Sequence, residues 1–408
     1  MHIAVFSQYH TNPDCPATSR HYSLLRHIAR THRVTLLTTR TWEQQRLTQH
    51  YTWLPEGVEM RAAQVPYRNT MGVAQRGLAF AHYAAYAVRE GLRIDKPDVI
   101  WGISTPLTAA WAAAQVARWR RVPWVFEVQD LWPAFPIAMG AVPRFAWSEL
   151  HKMEHKLYHQ AQAIMTLSPD MTDYVKALGN IAKSPWPFNT SKVHTSLNGT
   201  DLDLAAFATE DAVMKLRQEL GLTKQRVVLY AGTFGRANAI PMLVQAAEQL
   251  AAIDANTVWL FMGHGFYEPL VRAAAARCAA IRLVAPQPRY AVFAWFRLAD
   301  VSVVSFLNLP VLDSNSPAKL YDSLAVSTPV IVTNEGWTKR LVEQHACGWY
   351  VPADDTQALV TQLTQLFAQP EQLLQAGERG RALAIEQFDR GKIATAVQVT
   401  LEQAARSA

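Results

Sequence analysis

The chain is 408 residues long and half hydrophobic, enough for two or three domains with packed cores. Its apolar runs are broken by charge or proline well short of the ~18 residues of a membrane span, Met1 runs directly into a strand with no room for a signal peptide, and Cys15, Cys278 and Cys347 are too scattered for a disulfide framework or zinc site. Charge is uneven, with 21 Lys and Arg against 13 Asp and Glu in residues 1–195 and 18 against 20 afterwards, so the front half suits an anionic partner or simply a solvated surface.

Short β-rich runs at 3–7, 34–38, 99–101, 124–128 and 163–167 alternate with helical periodicity at 17–30, 74–93, 106–120 and 144–160. That alternation predicts βα units on a parallel sheet, with function at the carboxyl ends of the strands. Arg20 follows the first strand. Asp130 stands at the end of the strand 124–128, where a carboxylate can bind an acceptor or sugar hydroxyl. It can equally cap a helix or pair with Arg20 or Arg121. Glu127 is a second candidate there. The segment Ser184-Pro185-Trp186-Pro187 reads as the approach to a domain boundary.

The second half repeats the pattern, with strands at 226–230, 258–262, 281–284, 301–304 and 330–333. Helices are expected at 238–252, 266–277, 289–298, 316–326 and 338–345, and an amphipathic helix at 391–406. After the first of these strands, Gly232 and Gly235 permit close backbone approach to a phosphate, and Arg236 adds a forked cation. Gly263-His264-Gly265 is a tight turn after the next strand, with ligand contact as the alternative. Asn315-Ser316-Pro317 starts a helix by a side-chain cap with proline in the first turn, leaving N–H groups that favour an anion. Lys319 lies in that first turn and Asp322 three residues on, so the two are expected side by side. A phosphate and a ribose would satisfy them; an ordinary solvated Lys–Asp pair is the plainer alternative.

These landmarks, in this order, resemble the retaining glycosyltransferases of family 4. The likeness runs from Arg20 through Asp130-Leu131-Trp132-Pro133, Asn198-Gly199-Thr200-Asp201, Gly232-x-x-Gly235-Arg236 and Gly263-x-Gly265 to Ser316-Pro317-x-Lys319. The family has a Glu, seven residues and a second Glu where this chain has Ser314 and Asp322. Gln129 replaces an Arg usual in the branch that adds N-acetylamino sugars or deoxysugars to surface polysaccharide precursors. The resemblance implies a GT-B fold, α/β, with two Rossmann-like parallel-sheet domains facing across a cleft. Residues 1–195 would be the acceptor-side domain, with helix 391–406 packed back on it, and 196–390 the donor-binding domain.

It also implies a nucleotide-sugar co-substrate, by default UDP-linked, and a lipid-linked or glycan acceptor, with no metal required. Arg236 and Lys319 would hold the pyrophosphate, with Asp130 as a further catalytic residue. Gly232, Gly235, Gly263, Gly265, Ser316, Asp322 and the base-reading loop at Gln287 would line the donor. Arg20 and Glu127 would lie on the acceptor side. The basic front half, with Arg68, Tyr83, Tyr86, Trp111 and Trp119, would meet an anionic membrane surface at the cytoplasmic face. A sugar-nucleotide 2-epimerase of the same fold would need Glu127, Asp130, His10 and His264 as proton carriers. No motif supports a nucleic-acid partner, and no Gly-x-Gly-x-x-Gly opens the first turn as a nicotinamide enzyme would need.

Overall fold

Two parallel sheets organise the computed structural model, which describes residues 1–66, 71–181 and 184–407. The first contains β1 (His2–Phe6), β2 (Arg33–Thr39), β3 (Val58–Ala63), β4 (Val99–Ser104), β5 (Trp124–Val128), β6 (Ala163–Thr166) and β7 (Val193–Thr195). Their order is β3-β2-β1-β4-β5-β6-β7. The second contains β8 (Arg226–Ala231), β9 (Thr257–Met262), β10 (Ile281–Val284), β11 (Val301–Val304), β12 (Val330–Val332) and β13 (Gly348–Tyr350), in the order β10-β9-β8-β11-β12-β13. Every residue of β1, β4 and β5 is buried, as strands covered by helices on both faces must be. In both sheets the strand order reverses once, between β1 and β4 and between β8 and β11. Doubly wound sheets open a crevice at that reversal, beyond the carboxyl ends of the strands.

The strands β3, β7 and β13 have no counterpart among the sequence-based expectations. Each lies at a sheet edge. β3 alternates half-buried and exposed positions along Val58–Arg61, and β7 and β13 are three residues each, too short to leave a periodic signal.

The chain divides into two compact units. One comprises Met1–Asn12, Ser19–Leu197 and Gly391–Ala408; the other Pro13–Thr18 and Asn198–Arg390. The division falls between Leu197 and Asn198, two residues beyond the expected limit, and Pro13–Thr18 groups with the second unit. There the Arg289 N–H donates to the Cys15 carbonyl at 3.1 Å. The final helix (Arg390–Arg406) lays Ile393, Ala394, Val397, Leu401 and Ala404 on the core formed by Ile3, Val5, Leu24, Leu25 and Trp101. His32 meets Glu402 at 2.9 Å along that seam.

Candidate active site

The crevice of the second unit is built by the turns after β8, β9 and β11. The β8 and β9 turns pack backbone to backbone. Gly232 and Gly263 have φ of +144° and +149°, and a Cβ on Gly263 would lie 1.9 Å from the Gly232 carbonyl oxygen. Only glycine tolerates both conditions. A Cβ on Gly265 would meet the Phe234 backbone at 2.9 Å, and Phe234 N–H donates to the His264 carbonyl at 2.9 Å. Gly263 and Gly265 therefore join one turn to the next. Gly235 sits where a Cβ would crowd Asn238 Oδ1 at 2.9 Å.

Lys319 enters from the helix Ala318–Ala325 after β11. Its ammonium lies 3.8 Å from the centroid of the Tyr230 ring and 2.8 Å from where a Cβ on Gly232 would be. The residue keeps some surface through its stem, but Nζ is buried and has no hydrogen-bond partner among the described residues. Burial pulls its pKa from 10.5 down to about 7. A buried ammonium with no hydrogen-bond partner among the described residues, set beside a glycine turn, is a charge that an anion could satisfy. Arg236, on the β8 turn, is exposed; its guanidinium carbon lies 4.1 Å above the Phe266 ring centroid.

Asp322 does not stand beside Lys319 as the i,i+3 spacing predicts. It is 1% exposed and is gripped by both terminal nitrogens of Arg289, while Thr200 Oγ1 donates to its Oδ1 at 2.8 Å. The carboxylate is committed inside the unit instead of lying open to a ribose. Ser316 is also placed differently. Pro317 occupies the helix N-cap without a side-chain cap bond, one position before the expected first-turn site. Ser316 Oγ instead meets Tyr321 Oη at 2.5 Å, and its carbonyl accepts from Asn198 Nδ2 at 2.9 Å. The segment Asn198–Asp201 is thus a clamp on the helix Ala318–Ala325, reinforced by Arg390, which pairs with Asp201 and donates to the Gly199 carbonyl at 2.7 Å. Gln287 is half-buried after β10, its Nε2 donating to the Ala285 carbonyl at 3.1 Å.

In the first unit, β5 carries Glu127 and Asp130 to the carboxyl edge. Glu127 is fully buried, and its Oε1 receives Arg20 Nε at 3.2 Å, His21 Nε2 at 3.3 Å and Gln129 Nε2 at 3.1 Å. Its Oε2 is buried without a partner among the described residues. Burial alone would raise its pKa, but Arg20, His21 and Gln129 outweigh that and hold it at about 2. Arg20 and Glu127, separate candidates in the sequence, are therefore one ion pair, and Arg20 also donates to the Leu197 carbonyl at 2.7 Å. Asp130 pairs with neither arginine considered for it. It is half-buried, accepts from Thr105 Oγ1 at 2.9 Å, and burial raises its pKa above the ordinary carboxylate value despite that hydrogen bond. His10 is enclosed, donates Nε2–H to the Trp53 carbonyl at 2.9 Å, and burial pulls its pKa to about 4.

Sequence reasoning missed Tyr230, Phe266, Arg289 and His21 as working residues. Arg289 lies two residues after Gln287, but its partner lies 33 residues on, which spacing could not reveal. Among the described residues, no group of three or more His, Cys, Asp or Glu side chains is placed to hold a metal ion.

Residues 17–185 match the family described as "Glycosyl transferase 4-like domain", and residues 225–369 match "Glycosyl transferases group 1". The chain belongs to the glycosyltransferases that join these two domains. No curated protein matches it. Among solved structures, sucrose-phosphate synthase from Thermosynechococcus elongatus is similar, with 19% identity and a TM-score of 0.74 over 100% of both chains. HepE of Anabaena, solved with UDP, has 16% identity and a TM-score of 0.69, covering 99% of this chain and 100% of that one. WaaG, described as a glycosyltransferase involved in lipopolysaccharide biosynthesis, has 14% identity and a TM-score of 0.70, covering 98% and 99%. At these identities the likeness establishes the fold, which is GT-B.

Proposed function

We propose that this glycosyltransferase moves a sugar, an N-acetylhexosamine or deoxysugar, from a UDP-linked donor to a glycan or lipid-linked acceptor in surface polysaccharide synthesis, with retention and without a metal. The observation that carries the donor reading is the Lys319 ammonium, buried and unpartnered over Tyr230 and beside Gly232. The diphosphate of the donor would seat against it, with Arg236 as the second cation. UDP is favoured because HepE was solved with UDP; the surface-polysaccharide setting leans on WaaG.

In the proposed reaction the bond from the sugar's anomeric carbon to the diphosphate oxygen breaks. The acceptor oxygen forms its bond to the same face, and its proton passes to the leaving phosphate. Negative charge grows on the diphosphate as this happens. Lys319 and Arg236 stabilise that charge where it develops, the work a metal does elsewhere. Asp322 supports the site by holding Arg289 and the helix that bears Lys319. On the acceptor side, Asp130 offers a carboxylate oxygen to a hydroxyl, while Glu127 holds Arg20 and His21. The epimerase alternative is not favoured, because His10 and Glu127 are both tied into internal bonds.

Incubation with a panel of nucleotide sugars, followed by mass spectrometry for slow donor hydrolysis with and without EDTA, tests the reading. UDP-sugar turnover that survives EDTA is expected. No turnover of any nucleotide sugar overturns the donor assignment. Loss with EDTA that Mg²⁺ restores overturns the metal-free mechanism.

The membrane reading is a further part of the proposal. Among the described residues no helix is long and apolar enough to cross a membrane. Trp119 is 61% and Trp111 38% exposed on the helix Leu107–Arg120, and Arg118 and Arg121 line an open cavity of about 400 Å³ at its end. Tyr83, by contrast, is core, donating to the Leu37 carbonyl at 2.8 Å, and Arg120 donates to the Ile94 carbonyl at 2.7 Å. Arg68 lies outside the described residues. With Tyr83 and Arg120 set aside, the residues proposed for the contact are Trp111, Arg118, Trp119 and Arg121, together with Tyr86 and the exposed Arg89 and Arg93.

A further inference from the structure

Among the described residues, three arginines are buried against carboxylates: Arg20 on Glu127, Arg289 on Asp322 and Arg390 on Asp201. The two cations of the donor crevice are held in another way. Lys319 lies over Tyr230, and Arg236 over Phe266. Arg236 has no hydrogen bond or ion pair among the described residues, so the ring is what holds it. Phe266 is 57% exposed, and one face of its ring lies under the guanidinium.

The ring is well anchored. Phe266 sits in the β9 turn, which is bound to the β8 turn carrying Arg236. Phe234 N–H donates to the His264 carbonyl at 2.9 Å, and Tyr267 N–H to the Phe234 carbonyl at 2.9 Å. Tyr267 also packs edge-on against Phe266, ring centroids 5.0 Å apart. A long, flexible arginine thus lies on a ring whose backbone is tied to the arginine's own turn.

The choice of a ring has a chemical consequence. A carboxylate would occupy the guanidinium N–H groups, repel an incoming diphosphate and have to be displaced by it. An aromatic face attracts the charge but accepts none of those N–H bonds in the same way, so the donors stay available to phosphate oxygens. We propose that Phe266 is a positioning residue that holds Arg236 ready for the diphosphate of the donor. This rests on the reading of Arg236 as a diphosphate contact.

A double-mutant cycle tests it, using F266L, F266Y, R236A and the F266L/R236A pair, each checked for an unchanged melting temperature. The readouts are UDP affinity by calorimetry and the kcat and KM of UDP-sugar turnover. F266L is expected to lower kcat/KM by about 3- to 30-fold, the range of a lost cation–π contact. F266Y, which keeps the ring face, should stay within about twofold of the parent. The double variant should be no worse than R236A alone. Multiplying losses in the double variant would mean that Phe266 touches the donor itself, and would overturn the proposal. So would an F266L variant as active as the parent while R236A is impaired. An R236A variant with full activity would instead remove Arg236 from the diphosphate site, and the positioning role with it.

Discussion

The two crevices of this chain share a topology and differ in the sign of what they hold. At the β8/β11 reversal, Lys319 and Arg236 pair with no carboxylate among the described residues; aromatic rings hold them. At the carboxyl edge of β4 and β5 the groups are Glu127 and Asp130, the first satisfied on one oxygen by three donors and the second open on one side. On the proposed reading, the same doubly wound frame would serve a phosphate in one unit and sugar hydroxyls in the other, because the frame decides where side chains converge and not which ones.

The cationic crevice should show the largest effect. Replacing Lys319 with Ala or Arg236 with Ala is expected to cost about 100-fold or more in kcat, with a smaller change in UDP affinity, since charge on the leaving group grows toward the transition state. Steady-state kinetics decides it; a loss confined to KM would place both residues in ground-state binding only.

Asp322 comes next and separates a ligand contact from a support. Asp322→Ala leaves the Arg289 guanidinium buried without its carboxylate, so unfolding in urea should show about 3–5 kcal/mol lost stability. Folded protein should still bind UDP under stabilising conditions. Unchanged stability with UDP affinity weakened about 10- to 150-fold would return Asp322 to the ribose.

Lys319 also predicts a proton count. With its pKa pulled to about 7 by burial, the empty site at pH 8 is mostly neutral there. A bound diphosphate favours the charged form, so binding should take up close to one proton at pH 8 and far less at pH 6. Calorimetry in buffers of different ionisation enthalpy measures this, and Lys319→Met should abolish the uptake.

On the carboxylate side, Glu127 is held at about 2 against an ordinary 4.5. A depressed carboxyl stabilises the fold above its unfolded pKa, and that contribution is lost as pH falls from about 4.5 through about 2. Glu127→Gln should be less stable than the parent at pH 7, with the gap closing in acid. A gap that stays constant down to pH 2 would show that charge is not what Glu127 contributes.

The smallest expected effect concerns the surface. Flotation with anionic vesicles should carry the protein at low salt and release it as salt rises, and Trp119→Ser with Arg118→Ala should weaken it. If neutral and anionic vesicles behave alike, the surface carries no membrane contact.

Local chemistry made much of this legible. The alternation of β-rich runs with helical periodicity marked the sheet interiors, since buried parallel strands must be apolar on both faces. Gly232, Gly235, Arg236 and Lys319 stood out because a glycine turn and a cation near a helix start are meaningful within a few residues. Partner choice was not local. Whether Asp322 would face Lys319 at three residues or Arg289 at 33 depended on which helix packs beside it. Arg20 and Glu127 lie 107 residues apart and meet because β1 and β5 flank the same strand, β4. The ring beneath Arg236 comes from a turn that two glycines allow to pack against its neighbour. Sequence determined the kinds of groups and the frame that carries them, because propensity and periodicity act over a turn or two. Only the tertiary structure decided which charges are spent on one another and which remain for a ligand, because that depends on contacts between distant segments.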